Sequence, residues 1–133
     1  MKNLLKDLGI KVVILSRSRY DHLKTIHLLP TYIPIVVPES EKDEYAKVCK
    51  NPIITTPDDV KGLGRLRNWC IDNFEERSII MIDDDISRCY SLTSKQSRPV
   101  KDPEEILQIL INACIMADDM GTNVFGFSQR DIR

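Results

Sequence analysis

The chain has 133 residues, of which 42% are hydrophobic and 29% are charged. That length supports one domain with a genuine core, and it is too short for two. The formal net charge is -1, from 19 basic and 20 acidic residues, which excludes a protein that grips nucleic acid by overall positive charge. The longest apolar run near the N-terminus covers only 12–15. The sequence therefore predicts neither a membrane-spanning helix nor a secretory signal.

The four cysteines lie far apart and include no Cys-x-x-Cys pair. They are Cys49, Cys70, Cys89 and Cys114. This spacing argues against a zinc site or a redox motif. We interpret them as reduced core residues, which predicts a cytoplasmic protein. The two histidines, His22 and His27, are interpreted as surface residues because neither has a second ligand at a matching spacing.

Strands and helices alternate along the sequence after a lead-in over 1–8. The predicted strands cover 11–15, 33–37, 52–56, 79–82 and 124–127. The predicted helices cover 20–29, 40–49, 63–74 and 102–120, with Ser40 and Asp102 as N-caps. Residues 93–100 are polar and predict a mobile loop. This alternation predicts an α/β fold, with a mainly parallel Rossmann-like sheet and helices on both faces.

The loop after the first strand, Ser16-Arg17-Ser18-Arg19, carries two hydroxyls and two guanidinium groups. Such a loop suits a phosphate, because arginine offers a rigid fork of donors and serine adds short-range ones. The alternative is a solvated loop in which Ser16 or Ser18 caps the following helix.

The most informative stretch joins the apolar run 79–82 to Asp83, Asp84 and Asp85. Four consecutive apolar residues predict a strand that is buried on both faces. On an extended segment Asp83 and Asp85 point to one side and Asp84 to the other. Two carboxylates on one side suit Mg²⁺ or Mn²⁺. The alternative is a loop cap, or ion pairs with nearby arginines.

Two further polar groups follow strands in the predicted sheet. Arg67 and Asn68 lie near the start of the helix that follows Gly62, where an anionic ligand is favoured. Alternatively, Arg67 only neutralises the aspartates. Glu39 follows the second strand, where it could accept a hydrogen bond from a ribose or base. Helix-terminus electrostatics would explain Glu39 equally well.

The helix over 102–120 has apolar residues on more than one stripe. It begins with a strong signal, because Asp102 is followed by proline in the first turn and by Glu105 at the capping-box position. The breadth of its apolar surface means that the helix is sandwiched in the core or makes a subunit contact in a homodimer.

Three segments occur in an order that is familiar from one enzyme class: 16–19 after the first strand, 62–68 with its Leu-Arg-Asn, and 82–85. Together they resemble the nucleotide-sugar-binding half of a GT-A fold glycosyltransferase, the class that contains the family 2 enzymes. The chain is most similar to the phage and TET-associated glycosyltransferases, which are linked to modified DNA bases. The resemblance covers 12–127.

This resemblance implies a donor site. Asp83 and Asp85 would form a DxD pair that holds Mn²⁺ or Mg²⁺ on the pyrophosphate of a nucleotide-diphosphate sugar, with a UDP-sugar expected. Asp84 would support this pair. The other implied donor contacts are Ser16, Arg17 and Arg19 by the nucleotide or its phosphates, Glu39 by the ribose or base, and Arg67 with Asn68 along the donor pocket. The family implies a modified DNA base as acceptor and, for a phage protein, the host cytoplasm as location.

GT-A enzymes usually continue into an acceptor-binding half, which holds the general base of inverting members. Because the chain stops at Arg133, we expect residues 1–133 to form a single donor-binding domain without that half. Two functions stay open: a metal-dependent glycosyltransferase or its donor-binding domain, and a truncated, non-catalytic relative that binds a nucleotide or a partner. The order of elements disfavours phosphatases of the haloacid-dehalogenase type and receiver domains, because these need acidic residues after the first strand.

Overall fold

The computed structural model describes residues 2–93 and 96–128. The strands are β1 (Ile10–Leu15), β2 (Ile35–Pro38), β3 (Ile53–Thr56), β4 (Ser78–Asp83), β5 (Cys89–Thr93) and β6 (Gln96–Val100). The helices are α1 (Lys2–Leu8), α2 (Lys42–Val48), α3 (Leu63–Asn73) and α4 (Pro103–Asp119). Two short 3-10 turns cover Thr25–His27 and Glu39–Glu41.

Four parallel strands form the main sheet in the order β3-β2-β1-β4. Strand β1 pairs with β4 over its whole length, from Ile10 opposite Ser78 to Leu15 opposite Asp83. The second strand of the chain lies on the other side of β1, with Ile14 opposite Ile35. The parallel α/β sheet that the alternating elements predict is confirmed.

Both faces of this sheet are covered by helices. On one face, Val12 and Ile14 of β1 lie in a core cluster with Leu107 and Ile111 of α4. On the other face, alternate β1 residues join a second cluster that includes Cys70 of α3. Because side chains alternate across a strand, burial on both faces explains the continuous apolar sequence of β1. Burial also raises the pKa of the Cys70 thiol to about 11, as suits an unreactive core cysteine.

Strand β4 is less buried than its apolar sequence predicts. Among the described residues it is one of the two edge strands of the main sheet, β3 being the other. Only Ile80 is buried, whereas Ile79, Met81 and Ile82 are half-buried. Ile80 and Ile82 pack against one core cluster and Met81 against the other, so β4 is covered on both faces as predicted, but incompletely.

The predicted helix over 20–29 is wrong as well. This segment forms turns and the 3-10 turn Thr25–His27, because its polar groups bond to the acidic turn after β4. The backbone N–H groups of Lys24 and Thr25 donate to the Asp84 carbonyl at 2.9 and 3.1 Å. Thr25 Oγ1 donates to the Asp83 carbonyl at 2.5 Å and accepts from Ile86 N–H at 3.0 Å. These long-range hydrogen bonds replace the helical ones.

Three other predictions differ from the structure. Residues 2–8 form helix α1 where only a lead-in was predicted. The predicted loop over 93–100 contributes to the antiparallel hairpin of β5 and β6, although the prediction for 94–95 falls outside the described residues. Residues 124–127 form no strand.

The two predicted N-caps have opposite outcomes. Helix α2 begins at Lys42 without a side-chain cap, because Ser40 lies inside the 3-10 turn Glu39–Glu41 that precedes it, where its N–H donates to Asp58 Oδ1 at 3.0 Å. At the start of α4, Asp102 is confirmed as the cap and accepts from the Glu104 N–H at 3.2 Å. Local sequence therefore predicts the α4 start correctly but cannot anticipate a partner from the loop after β3.

Helix α4 places most of its apolar side chains in the core. Its buried residues are Ile106, Leu107, Leu110, Ile111, Cys114 and Ala117. Met116 and Met120 near its C-terminal end are exposed, so a subunit contact there stays a prediction. Within the described residues, no helix is long and apolar enough to cross a membrane.

Replacing Thr25 by valine should destabilise the fold. The side chain is 1% exposed, and its loss would leave the Asp83 carbonyl and the Ile86 N–H without this hydroxyl. Each unmet group of this kind costs about 1–3 kcal/mol, so the free energy of unfolding in urea should fall by about 2 kcal/mol or more. The matched control is Thr31→Val at an exposed position. Equal stability of the two variants would contradict the bridging role of Thr25.

Candidate functional site

A cleft of about 300 Å³ with both polar and apolar lining residues lies at the carboxyl ends of the four parallel strands. Each strand contributes to its wall: β1 through Leu15, β2 through Pro38, β3 through Thr56 and β4 through Asp83. The start of α3 completes the wall with Gly62, Leu63 and Leu66. This edge of an open parallel sheet is where α/β proteins generally bind ligands.

Most of the side chains predicted from the sequence line this cleft. They are Ser16, Arg17, Arg19, Asp83, Asp84 and Asp85. Arg67 is not among the lining residues, but Arg67 Nη2 lies 4.0 Å from Asp83 Oδ1. Glu39 and Asn68 are exposed and are not among the lining residues. The ligand-binding roles of all these residues stay predictions.

Asp84 points into the protein and is held by a chain of hydrogen bonds. Ser16 Oγ donates to Asp84 Oδ2 at 2.5 Å, and it lies 2.6 Å from the Tyr45 hydroxyl. The Tyr45 oxygen accepts from the Arg19 backbone N–H at 3.2 Å. Since an ionised carboxylate only accepts, the order of donation runs from Arg19 N–H through Tyr45 and Ser16 to Asp84.

This network explains how a carboxylate can be buried at the end of β4. Asp84 is 5% exposed and Tyr45 is fully buried, so both need hydrogen-bond partners. Arg19 adds an opposite charge, with its Nε at 3.8 Å from Asp84 Oδ1. The Asp84 carboxylate is thus bonded inside the protein, and its role in supporting a metal-binding pair stays a prediction.

Tyr45 is a site residue that the sequence analysis missed. It lies on α2, 29 residues from Ser16, and no local pattern predicts that pairing. Burial raises the pKa of the Tyr45 hydroxyl above its ordinary value of 10.0, and the nearby carboxylates of Glu41 and Asp84 add to this rise. The hydrogen bonds that Tyr45 makes with Ser16 and Arg19 act in the opposite direction. Tyr45 is therefore a neutral donor at neutral pH.

The loop 16–19 is hydrogen-bonded to Glu41 as well as to Asp84. Ser18 has a φ of 56°, in the left-handed region that residues other than glycine rarely adopt. Its N–H donates to Glu41 Oε1 at 2.5 Å, and its hydroxyl donates to Oε2 at 3.4 Å. Because no helix follows this loop, the alternative in which Ser16 or Ser18 caps one is wrong.

Arg17 joins the first loop to the loop between β3 and α3. Its Nη1 donates to the Val60 carbonyl at 2.8 Å, and its Nη2 donates to the Asp58 carbonyl at 3.5 Å. The pKa of the Asp58 carboxyl is lowered, mainly by hydrogen bonds from Ser40 and further by the charges of Arg17 and Lys61. Arg17 thus shapes one wall of the cleft while keeping its positive charge there.

Asp83 and Asp85 both line the cleft. Asp83 ends β4, whereas Asp84 and Asp85 lie in the turn that follows, so the alternation of side chains expected for an extended segment does not apply to them. Asp83 is half-buried and Asp85 is exposed. Within 2–93 and 96–128, no three His, Cys, Asp or Glu side chains are arranged to hold a metal ion. A pair of carboxylates beside open space is the smaller donor set that Mg²⁺ uses when phosphate oxygens and water complete its coordination.

A helix-flanked parallel sheet with a cleft beyond its carboxyl ends defines the chain as a Rossmann-like α/β protein. The sequence profile of the TET-associated glycosyltransferases matches residues 10–129. The chain therefore belongs to the TET-associated glycosyltransferase family, and the resemblance seen in its three segments is confirmed. No curated protein and no solved structure gives a significant match.

Removing the two hydroxyls of the Asp84 network should produce coupled losses of stability. Ser16→Ala and Tyr45→Phe should each lower the free energy of unfolding by about 1–3 kcal/mol, because each leaves a buried polar group short of a partner. In the double variant, the total loss should be smaller than the sum by about 0.5 kcal/mol or more. Urea unfolding of the four proteins measures this coupling. Strict additivity would show that the two hydroxyls act independently.

The raised pKa of Tyr45 predicts a loss of stability at alkaline pH. Above 10.0, the ordinary tyrosine value, the unfolded chain releases this proton before the folded chain does. The folded state therefore binds more protons, and the stabilisation present below that pH is lost as the pH rises. Tyr45→Phe should flatten this part of the stability curve. The control is Tyr90→Phe at an exposed position, which should keep the wild-type slope.

Proposed function

We propose that the chain binds a nucleotide-diphosphate sugar in this cleft, with Mn²⁺ or Mg²⁺ at Asp83 and Asp85, as the donor step of glycosyl transfer. The observation that carries the proposal is that the three aspartates of the acidic turn differ in burial and bonding. Asp84 is buried and bonded to Ser16, whereas its neighbours Asp83 and Asp85 are more exposed and also line the cleft. A UDP-sugar is the expected donor.

The two carboxylates of Asp83 and Asp85 suit a cation that is also bound by phosphate oxygens of the nucleotide sugar. Two carboxylates alone bind Mg²⁺ or Mn²⁺ incompletely, and phosphate oxygens commonly complete such a site. When bound, the cation would stabilise negative charge on the departing nucleoside diphosphate. Asp83 and Asp85 would hold it, and the buried Asp84 network would keep the turn between them rigid.

Three arginines place positive charge where a diphosphate would lie. Arg17 and Arg19 line the cleft, and Arg67 reaches Asp83 at its edge. Guanidinium groups match phosphate oxygens with paired hydrogen bonds. The volume of about 300 Å³ is at the lower end for ligand sites, which suits the diphosphate and part of the groups attached to it.

For the acceptor, we propose a modified base in DNA. Two observations support it: the name of the family, and the charge of the segment after the acidic turn. Residues 86–101 contain four basic and no acidic residues. Strands β5 and β6 lie in this segment, and Arg98 of β6 pairs with Glu105 of α4 at 2.8 Å. Local positive charge of this kind suits contacts with a phosphate backbone. The alternative, a non-catalytic relative that binds only a nucleotide or a partner, predicts no sugar transfer to DNA.

Donor binding is tested by thermal unfolding with UDP-glucose in Mn²⁺ and in EDTA. A ligand at about a hundred times its dissociation constant adds roughly 2.7 kcal/mol, or several degrees in Tm. Asp85→Asn should remove most of the Mn²⁺-dependent shift, because it deletes one charged ligand. Asp72→Asn, an exposed position near the other end of α3, should keep it. If neither UDP-glucose nor any other nucleotide sugar shifts the Tm in Mn²⁺, the proposal is wrong.

A further inference from the structure

The two charged partners of the acidic turn lie in different environments. Arg19 approaches the buried Asp84, whose carboxylate is also bonded to Ser16. Arg67 approaches Asp83, with Nη2 and Oδ1 4.0 Å apart and the side chains 49% and 40% exposed. An exposed ion pair at this distance contributes little to stability. The Arg67 pair is therefore the one that a competing ion can displace.

Arg67 also lies within reach of the expected phosphate position. It is one turn into α3, and Gly62, Leu63 and Leu66 at the start of that helix line the cleft. The positive end of the helix dipole points toward the same space. A guanidinium that leaves Asp83 here remains beside the cleft.

From these positions we propose that Arg67 is an exchangeable counter-ion, which occupies Asp83 before the donor binds and moves to the donor phosphates when a divalent cation arrives. This inference rests on the proposed donor site. A cation bound by Asp83 and Asp85 repels the Arg67 guanidinium, because the cation and the guanidinium are both positive and both lie beside the Asp83 carboxylate. The displaced group then finds phosphate oxygens, which accept its forked donors better than one distant carboxylate does.

The exchange makes cation and nucleotide binding cooperative. A divalent cation that binds alone must displace Arg67 from Asp83, which weakens its affinity. When the diphosphate is present, the displaced guanidinium gains a new partner. Arg67 therefore opposes the cation by itself and favours the nucleotide in the presence of the cation.

The test measures two affinities in the whole chain. The Kd for Mn²⁺ alone is obtained from the electron paramagnetic resonance signal of free Mn²⁺, and the Kd for UDP at saturating Mn²⁺ from calorimetry. Arg67→Gln should bind Mn²⁺ alone about two- to fivefold more tightly and UDP about tenfold more weakly. Arg67→Lys, which keeps the charge but loses the fork, should keep the wild-type Mn²⁺ affinity and weaken UDP.

Arg65→Gln is the matched control, because Arg65 is exposed on the same helix and does not line the cleft. It should leave both affinities within about twofold of wild type. If Arg67→Gln weakens both ligands or leaves Mn²⁺ affinity unchanged, the counter-ion role is wrong and the donor site stands. If the wild-type chain binds neither Mn²⁺ nor UDP, the donor site and this inference both fail.

Discussion

A carboxylate that is buried at the end of a parallel strand needs hydrogen-bond donors, and the rest of this site depends on how Asp84 obtains them. Its partner Ser16 is the first residue after β1, the strand that pairs with β4 in register up to Asp83. Pairing of the two strands therefore brings the hydroxyl and the carboxylate to the same end of the sheet. The hydrogen bond between them connects the sheet to the geometry of the cleft.

Two other segments complete the support for the acidic turn. Tyr45 of α2 extends the chain of donors from the far side of Ser16, and Thr25 bonds to the backbone on both sides of Asp84. The Asp84 side chain and the backbone of the turn are both hydrogen-bonded, so the backbone of the turn has little conformational freedom. Asp83 and Asp85, which line the cleft, therefore lie on a restrained backbone, as the proposed cation site would require.

The parts of the fold that were predictable from sequence are those whose cause is local. The β1 strand and helix α3 follow from an apolar run and from three- and four-residue spacing, and Asp102 caps α4 through a contact two residues away. The helix predicted over 20–29 failed because Thr25 bonds to the Asp83 carbonyl, 58 residues further along the chain. Tyr45 was not predicted as a site residue for the same reason, because its partner Ser16 lies 29 residues away in the chain.

The candidate site was predictable in composition but less so in geometry. Acidic and basic side chains after successive strands meet because parallel strands end at one edge, and this brought together Ser16, Arg17, Arg19 and the three aspartates. Position along the chain could not show that Arg17 bonds to the Val60 carbonyl, or that Glu39 and Asn68 stay outside the cleft lining. The Arg17 contact depends on loop conformations, which are set by contacts between loops, whereas the exclusion of Asn68 depends on which side of α3 meets the cleft.

The most direct test of the account is a crystal structure of the chain with Mn²⁺ and UDP-glucose, using the anomalous scattering of manganese to locate the ion. The account predicts one manganese peak bound by the carboxylates of Asp83 and Asp85 and by diphosphate oxygens, with Asp84 still bonded to Ser16. A manganese ion bound by Asp84, or a nucleotide bound away from the carboxyl ends of the strands, would contradict it.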